Sequence, residues 1–341
     1  KYLWHLFSPI SIDNGLNETL ERANYIFPKK VPKFIITSTA FFSDEIFNMY
    51  TAKAIENKTK YKIIQHGGGF GFSEFNDEEE LQISVADEFL TWGWDRSYVS
   101  IPKDTKIAKI IPFGSLLLPS KSAQNRSDKP RNTNQKKEIY ICLAEWSFND
   151  FRLYCYPTSH GQKRKQKHLI SMVSSLKPKI RENVSFRLHA NGIYNLREIL
   201  TKELGTFKFN DRAKDDVSDG LLSNARLYIG DSNSTTWLES LVINIPTLLF
   251  LSDEYLDHNK NILVINKAVE NKMIFSSSTD LANWLNINYQ DINKWWKSKQ
   301  IQRIRKDLVK KFSDEIDLVK YKKKYSDIIN LSEITLNGRN G

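Results

Sequence analysis

The segment Ile64-Gln65-His66-Gly67-Gly68-Gly69-Phe70-Gly71 places a histidine and four glycines directly after the hydrophobic run Tyr61-Lys62-Ile63-Ile64. A strand that runs into glycine builds a loop where backbone approaches a ligand closely and dihedrals closed to other residues are open. His66 stands at the edge of that loop with an ordinary pKa near neutrality, which suits a base or a phosphate ligand. Gly67 and Gly68 are the loop positions whose backbone can meet a bound donor. The plain alternative is a tight turn with a capping histidine. A second group, Gly230-Asp231-Ser232-Asn233-Ser234-Thr235-Thr236, follows the apolar run Leu227-Tyr228-Ile229 and precedes a helical pattern. Hydroxyl side chains and backbone N–H groups then meet at a helix N-terminus, where the macrodipole favours negative charge. That combination makes a phosphate cradle without the lysine of a P-loop. A generous N-cap is the alternative, and it needs only one hydroxyl. Glu239, about one turn into the helix, is placed to accept hydrogen bonds from ribose hydroxyls or to stand as a solvated helix residue. In Arg187-Leu188-His189, strand alternation puts Arg187 and His189 on one face, where they can clamp a phosphate or a sugar carboxylate.

Alternating strands and helices must position these groups. Phe34 to Thr37 reads as a buried strand and Ser43 to Glu56 as a helix, with Ser43 as N-cap and Asp44 and Glu45 complementing the dipole of the first turn. Tyr61 to Gln65, Glu88 to Trp94 and Ile107 to Phe113 read as further strands. After a polar stretch the alternation restarts: strands at 138–143, 184–188, 227–230 and 247–251, helices at 166–176 and 236–242. This order predicts a parallel, doubly wound α/β architecture. Ligands of such sheets bind beyond the carboxyl ends of strands, where both the glycine loop and the Asp231 segment lie. The expected organisation is a domain over 1–120, a linker over 121–137, a second domain over 138–290 and C-terminal helices over 291–341.

Composition narrows the function. The 341 residues, 40% hydrophobic and 26% charged, suit a soluble globular chain of two domains. No apolar stretch reaches 18 residues, so no transmembrane helix is indicated. The start Lys1-Tyr2-Leu3-Trp4-His5 lacks a signal-peptide pattern and an initiator methionine, and a processed or trimmed piece of a longer chain is expected. Cys142 and Cys155 supply neither a disulfide framework nor a four-ligand metal site; Cys142 reads as a small buried hydrophobe. A net charge of +10 favours anionic partners, and the basic residues gather at 121–137, 162–168 and 297–325. Between Lys297 and Lys324, Ile301, Ile304, Leu308 and Phe312 fall at helical spacing, as in a core-facing helix able also to rest on anionic lipid. No nucleic-acid reader motif occurs, which sets that partner aside. Asp-x-Asp metal clusters are missing near the predicted site, Asp215-Asp216 reads as loop, and no cofactor or metal is expected. Trp237, Trp284, Trp295 and Trp296 read as packing.

In order along the chain, Gln65-His66-Gly67, Ala86-Asp87, Arg187-Leu188-His189 and Asp231-Ser232-Asn233-Ser234 running to Glu239 form a recognisable series. With segments 35–50, 63–94 and 226–251, they resemble bacterial surface-polysaccharide transferases of the GT-B type, nearest to a family of surface-carbohydrate transferases. Wider relatives are the retaining Kdo transferases and the CDP-glycerol glycerophosphotransferases. The resemblance implies a GT-B-like fold, with two Rossmann-like domains facing a cleft and a helical C-terminal segment. It implies a cytidine or other nucleotide donor held by Asp231, Ser232, Ser234 and Glu239, and an N-terminal domain carrying acceptor and catalytic groups. Asp44 matches the position of a proposed nucleophile, with Glu45 beside it. Two departures are visible: His189 continues into Ala190-Asn191 where the family usually has proline, and the N-terminal domain is short for this fold. The expected activity is transfer of Kdo or a related ulosonic acid from a CMP donor to a surface polysaccharide or glycolipid. The alternatives are CDP-glycerol or ribitol-type polyol-phosphate transfer and, more remotely, a non-catalytic nucleotide- or polysaccharide-binding module. A cytoplasmic location follows, peripheral at the inner face of the cytoplasmic membrane.

Overall fold

The computed structural model describes residues 15–27, 31–73, 76–99, 106–115, 129–143, 159–188, 195–210, 222, 224–251 and 262–316. Of the sequence expectations, His189, Asp215-Asp216, Cys155, the 121–128 half of the linker and the basic tail past 316 lie outside the described residues. The chain divides into two compact units, each an α/β structure on a parallel sheet. The first comprises 1–66, 78–91 and 101–111; the second comprises 67–77, 92–100 and 112–341.

In the first unit, strands β1 (Phe34–Thr37), β2 (Lys60–Ile64), β3 (Glu88–Thr91) and β4 (Lys109–Pro112) lie side by side in chain order. The β1–β2 and β2–β3 pairs are parallel, in registers Phe34↔Lys60 and Lys62↔Glu88. Ile35, Ile63, Phe89 and Leu90 form its core, with Ile83 from helix α3 (Asp77–Val85). Helix α1 (Leu16–Ile26) packs on α2 (Glu45–Glu56). The expected cap of α2 is corrected by one residue. A 3-10 turn at Ala40–Phe42 uses Ser43 as its end, and Asp44 caps the helix instead, extended and accepting from the Phe47 N–H at 2.8 Å. A carboxylate there both satisfies an orphan donor and complements the dipole. The strand expected to reach Trp94 stops at Thr91. Gly93 turns the chain with φ +135, and a Cβ there would collide with the Lys310 carbonyl oxygen.

The second unit carries β5 (Ile139–Cys142), β6 (Val184–Arg187), β7 (Lys208–Phe209), β8 (Leu227–Gly230), β9 (Thr247–Phe250) and β10 (Ile274–Phe275). They are arranged β10-β9-β8-β5-β6-β7, with every described pair parallel. From β7 inward this is the 3-2-1-4-5-6 order of a doubly wound dinucleotide-binding sheet, whose order reverses between β5 and β8. Alternation sorts the faces. Ile139, Ile141, Val184, Phe186, Leu227 and Ile229 share a core with Leu169, Met172 and Val173 of α4 (Ser159–Ser174), and with α6 (Leu196–Leu204) and α9 (Ser278–Asn288). A short α5 (Pro178–Arg181) leads into β6. The opposite face carries Tyr140, Cys142, Ser185, Arg187, Tyr228 and Gly230, in the registers Tyr140↔Ser185, Cys142↔Arg187 and Cys142↔Gly230. Helix α7 (Thr235–Val242) packs on β8 and β9. Helix α8 (Leu263–Glu270) precedes β10, and α10 (Ile292–Lys297) leads to α11 (Lys299–Phe312).

Helix α11 buries Ile301, Ile304, Leu308 and Phe312, as its spacing predicts, and packs on α7 and α8. Trp237 and Trp296 are buried in packing. Residues 129–137 lie against this unit: Thr133 is buried and bonded to Asn293, and the Arg131 N–H reaches the Asn244 carbonyl. Polar side chains here satisfy buried partners rather than solvate a free strand of chain.

Candidate functional site

At the carboxyl ends of the paired strands β5 and β8, where the strand order reverses, five polar side chains gather. Arg187 ends β6 with 5% exposure, Asp231 follows β8 with 4%, and Glu239 sits in the second turn of α7 with 8%. Tyr228 is fully buried and, two residues before Gly230, shares its face. Its hydroxyl lies 3.0 Å from where a Gly230 Cβ would stand, so a larger residue there requires the phenol to give by a few tenths of an ångström. The Cys142 thiol lies in the field of Arg187, Asp231 and Glu239 and beside the Tyr228 hydroxyl; burial pushes it up to about 12. Burial likewise raises Tyr228 well above its usual 10. Thiol and phenol therefore stay neutral near pH 7, and the charged members are Arg187, Asp231 and Glu239.

A sixth member escaped the sequence reading. Lys165 of α4 places Nζ 2.7 Å from Asp231 Oδ2, with the two side chains 7% and 6% exposed. It belongs to the 162–168 basic cluster, which suggests a solvated surface. Its spacing says otherwise: Lys165 precedes the buried Leu169, Met172, Val173 and Leu176 by four, seven, eight and eleven positions, which is the apolar stripe of a helix. A lysine on such a stripe was the available signal. Tyr228 carried a weaker one, as a phenol in an otherwise apolar strand.

The N-terminus of α7 completes the arrangement. Ser234 is the N-cap, in extended conformation, yet its side chain makes no cap hydrogen bond. Capping alone thus leaves the run of hydroxyls unexplained. Ser232 is buried, while Asn233, Ser234, Thr235 and Thr236 are partly exposed. The glycine loop lies in this same unit. The Gly68 N–H donates to Thr235 Oγ1 at 3.0 Å. A Cβ on Gly68 would meet the Ser234 carbonyl carbon at 2.6 Å and the Thr235 nitrogen at 2.7 Å, and one on Gly67 would stand 3.5 Å from Thr235 Oγ1. The sequence places the Gly67 and Gly68 backbone where it can meet a bound donor, and in the structure the loop rests on the N-terminal end of α7.

His66, Asp44 and Glu45 belong to the first unit. The His66 ring stands edge-on to Phe42 at 5.3 Å, and burial lowers its pKa below the 6.5 expected from sequence. Phe42 belongs to the turn that leads to Asp44, so the end of β2 and the start of α2 are neighbours. Asp44 and Glu45 are both exposed. A recess of about 340 Å³ between α1 and α2 includes Asn24, Tyr50, Lys53 and Asn57. Lys53 and Asn24 bond to each other there, at 2.7 Å. Among the described residues no cluster of three His, Cys, Asp or Glu suits a metal ion, and no helix is long and apolar enough to cross a membrane.

A family model for LIC12162 family transferases matches residues 3–320, so the chain belongs to that family and is a transferase. No curated protein matches it in sequence. Among solved structures, it is similar to a candidate UDP-N-acetylglucosamine 2-epimerase from Listeria monocytogenes. That match has TM-score 0.53 and 11% identity, covering 88% of this chain and 81% of that one. A Staphylococcus aureus TarM variant, solved with fondaparinux, alpha-GlcNAc-glycerol and UDP, matches at TM-score 0.53 and 9% identity, over 95% of this chain and 59% of that one. Anabaena HepE, solved with UDP and glucose, matches at 0.50 and 11%, over 95% and 84%. At these identities the likeness is one of fold, and the fold is GT-B-like.

Proposed function

We propose that this LIC12162 family transferase moves a sugar from a nucleotide donor onto a surface polysaccharide or glycolipid. What carries the proposal is the buried charged cluster at the β5/β8 reversal, set beside a helix N-terminus whose N-cap side chain makes no cap hydrogen bond. The donor phosphate sits at Ser232–Thr235, facing the positive end of α7, with Arg187 supplying a cation. Glu239 accepts from the ribose hydroxyls. When the acceptor hydroxyl attacks the anomeric carbon, the bond from that carbon to the phosphate oxygen breaks and its electron pair leaves with the phosphate. His66, neutral because burial disfavours its charged form, takes the acceptor proton. Asp44 supports the positive centre as a charge stabiliser; acting instead as nucleophile it displaces the phosphate first, and the acceptor hydroxyl then attacks the same carbon and breaks the bond to Asp44. The Arg187 cation and the helix dipole together stabilise the leaving group, so turnover should survive EDTA.

The narrower form of the proposal, Kdo or a related ulosonic acid from a CMP donor, rests on the sequence resemblance. UDP in TarM and HepE supports a nucleoside diphosphate donor as its rival. Transfer of glycerol or ribitol phosphate from a CDP donor is the second reading. It is favoured by one observation: the Asp44 carboxylate is already engaged as the cap of α2, and that chemistry needs no carboxylate nucleophile. Any membrane contact of α11 is electrostatic and peripheral, through exposed Lys299, Arg303, Lys306 and Lys310, since its apolar face is buried. Calorimetry with CMP, CDP, UDP and GDP is the direct test. Binding of any one with micromolar affinity supports the transferase site, and absence of binding by all four overturns it.

A further inference from the structure

We propose that Lys165 is a positioning residue whose function is to neutralise and hold Asp231, so that the N-terminus of α7 can accept an anionic donor. This role presupposes the donor site proposed above. Asp231 lies three residues before the N-cap Ser234, on the route from β8 into α7. A bare carboxylate there occupies the positive end of the helix and repels phosphate across a short, water-poor distance. Lys165 meets it at 2.7 Å with both side chains nearly enclosed. Taking two ions out of water is costly, and replacing such a pair with apolar side chains is often neutral or stabilising. The pair is therefore better explained by what it does to the site than by stability.

The surrounding charges agree. Arg187, Asp231 and Glu239 all act on the Cys142 thiol, and Lys165 joins them through Asp231. Lys165 and Arg187 formally balance Asp231 and Glu239. Among the described residues, the cluster without Lys165 carries a formal net negative charge before any phosphate arrives. With it, the Asp231 carboxylate no longer opposes the Arg187 cation and the helix end at the donor.

The test measures affinity in the full chain by calorimetry, with UDP, CMP, CDP and GDP as probes and the tightest of these on the wild type as the reference. Lys165→Met is expected to weaken that nucleotide by about tenfold or more, a coupling typical of buried neighbours. Lys165→Arg is expected to restore most of the affinity. The double variant Lys165→Met/Asp231→Asn, which removes both charges, is expected to bind within about threefold of Asp231→Asn alone. A folded Lys165→Met with unchanged affinity overturns the inference. So does a double variant as weak as Lys165→Met, which assigns Lys165 directly to the phosphate. If Lys165→Met fails to fold because it strands a buried carboxylate, the double variant and Lys165→Arg decide the matter by the same criteria. A wild type that binds none of the four removes the donor site and this role with it, an outcome separate from the variant results.

Discussion

At the scale of residues, His66 and Asp44 carry the sharpest predictions. His66→Ala should lower turnover by about a hundredfold or more, within the range attributed to a positioned acid–base group, while circular dichroism and melting stay near wild type. Burial depresses the His66 pKa, so its base form persists to lower pH than a free imidazole allows. The acid limb of kcat/KM should accordingly have its midpoint below 6.5. Below that value the unfolded chain binds this proton more readily than the folded one, so the contribution of the neutral ring to stability declines as pH falls through the window. Asp44 separates two roles. Asn caps helices about as well as Asp, whereas Ala costs about 1 kcal/mol. Asp44→Asn should leave the melting temperature unchanged and lower turnover by about a hundredfold. Near-normal turnover in Asp44→Asn would instead favour polyol-phosphate transfer.

At the scale of elements, the glycine loop and α7 behave as one piece. The chemistry of His66-Gly67-Gly68-Gly69 was legible in the sequence because glycine at a strand end marks a bulge, a tight bend or a close backbone approach. Its contact was not, since nothing between positions 68 and 235 records which backbone segments meet. Gly68→Ala should push the loop off the helix end, because the atoms in the way are backbone. We expect a loss of about 1–3 kcal/mol in urea melts, as for other overpacked sites, together with at least a tenfold weaker nucleotide affinity. Wild-type affinity in a stable Gly68→Ala chain would separate the loop from donor binding. Lys165 illustrates the complementary lesson. The sequence reading notes only a basic cluster there and begins its helix at 166, whereas the spacing from Lys165 to Leu169, Met172 and Val173 puts it on the buried stripe.

At the scale of the whole molecule, the two compact units make a testable division. A nucleotide that binds the second unit stabilises what it touches, by about 2.7 kcal/mol at a hundredfold excess over Kd for one site. Hydrogen exchange at saturating nucleotide should therefore slow amides in 67–77 together with those of Thr235–Val242. Amides of Leu16–Ile26 in the first unit should exchange as before. Protection confined to the first unit would contradict the placement of the donor. The chain carries a surplus of ten positive charges, and Lys299, Arg303 and Lys306 stand on exposed helix surface, whereas the described charged members of the candidate site formally balance. Net charge thus describes encounter with anionic partners and says little about the site.

By itself the sequence determined the alternation of strands and helices, the parallel α/β class, the amphipathic stripe of α11 and the places where glycine or hydroxyl residues break the pattern. Those are properties of short segments, set by dihedral preference and by the periods 2 and 3.6. Tertiary structure decided which strand ends converge. The reversal between β5 and β8 brings Cys142, Arg187, Tyr228 and Asp231 together across about 90 positions of chain, and α4 adds Lys165 from the apolar stripe. It also made Asp44, rather than Ser43, the cap of α2, and set Gly68 on the backbone of Ser234 and Thr235. Burial and close approach depend on strand order, and strand order is a property of the folded whole.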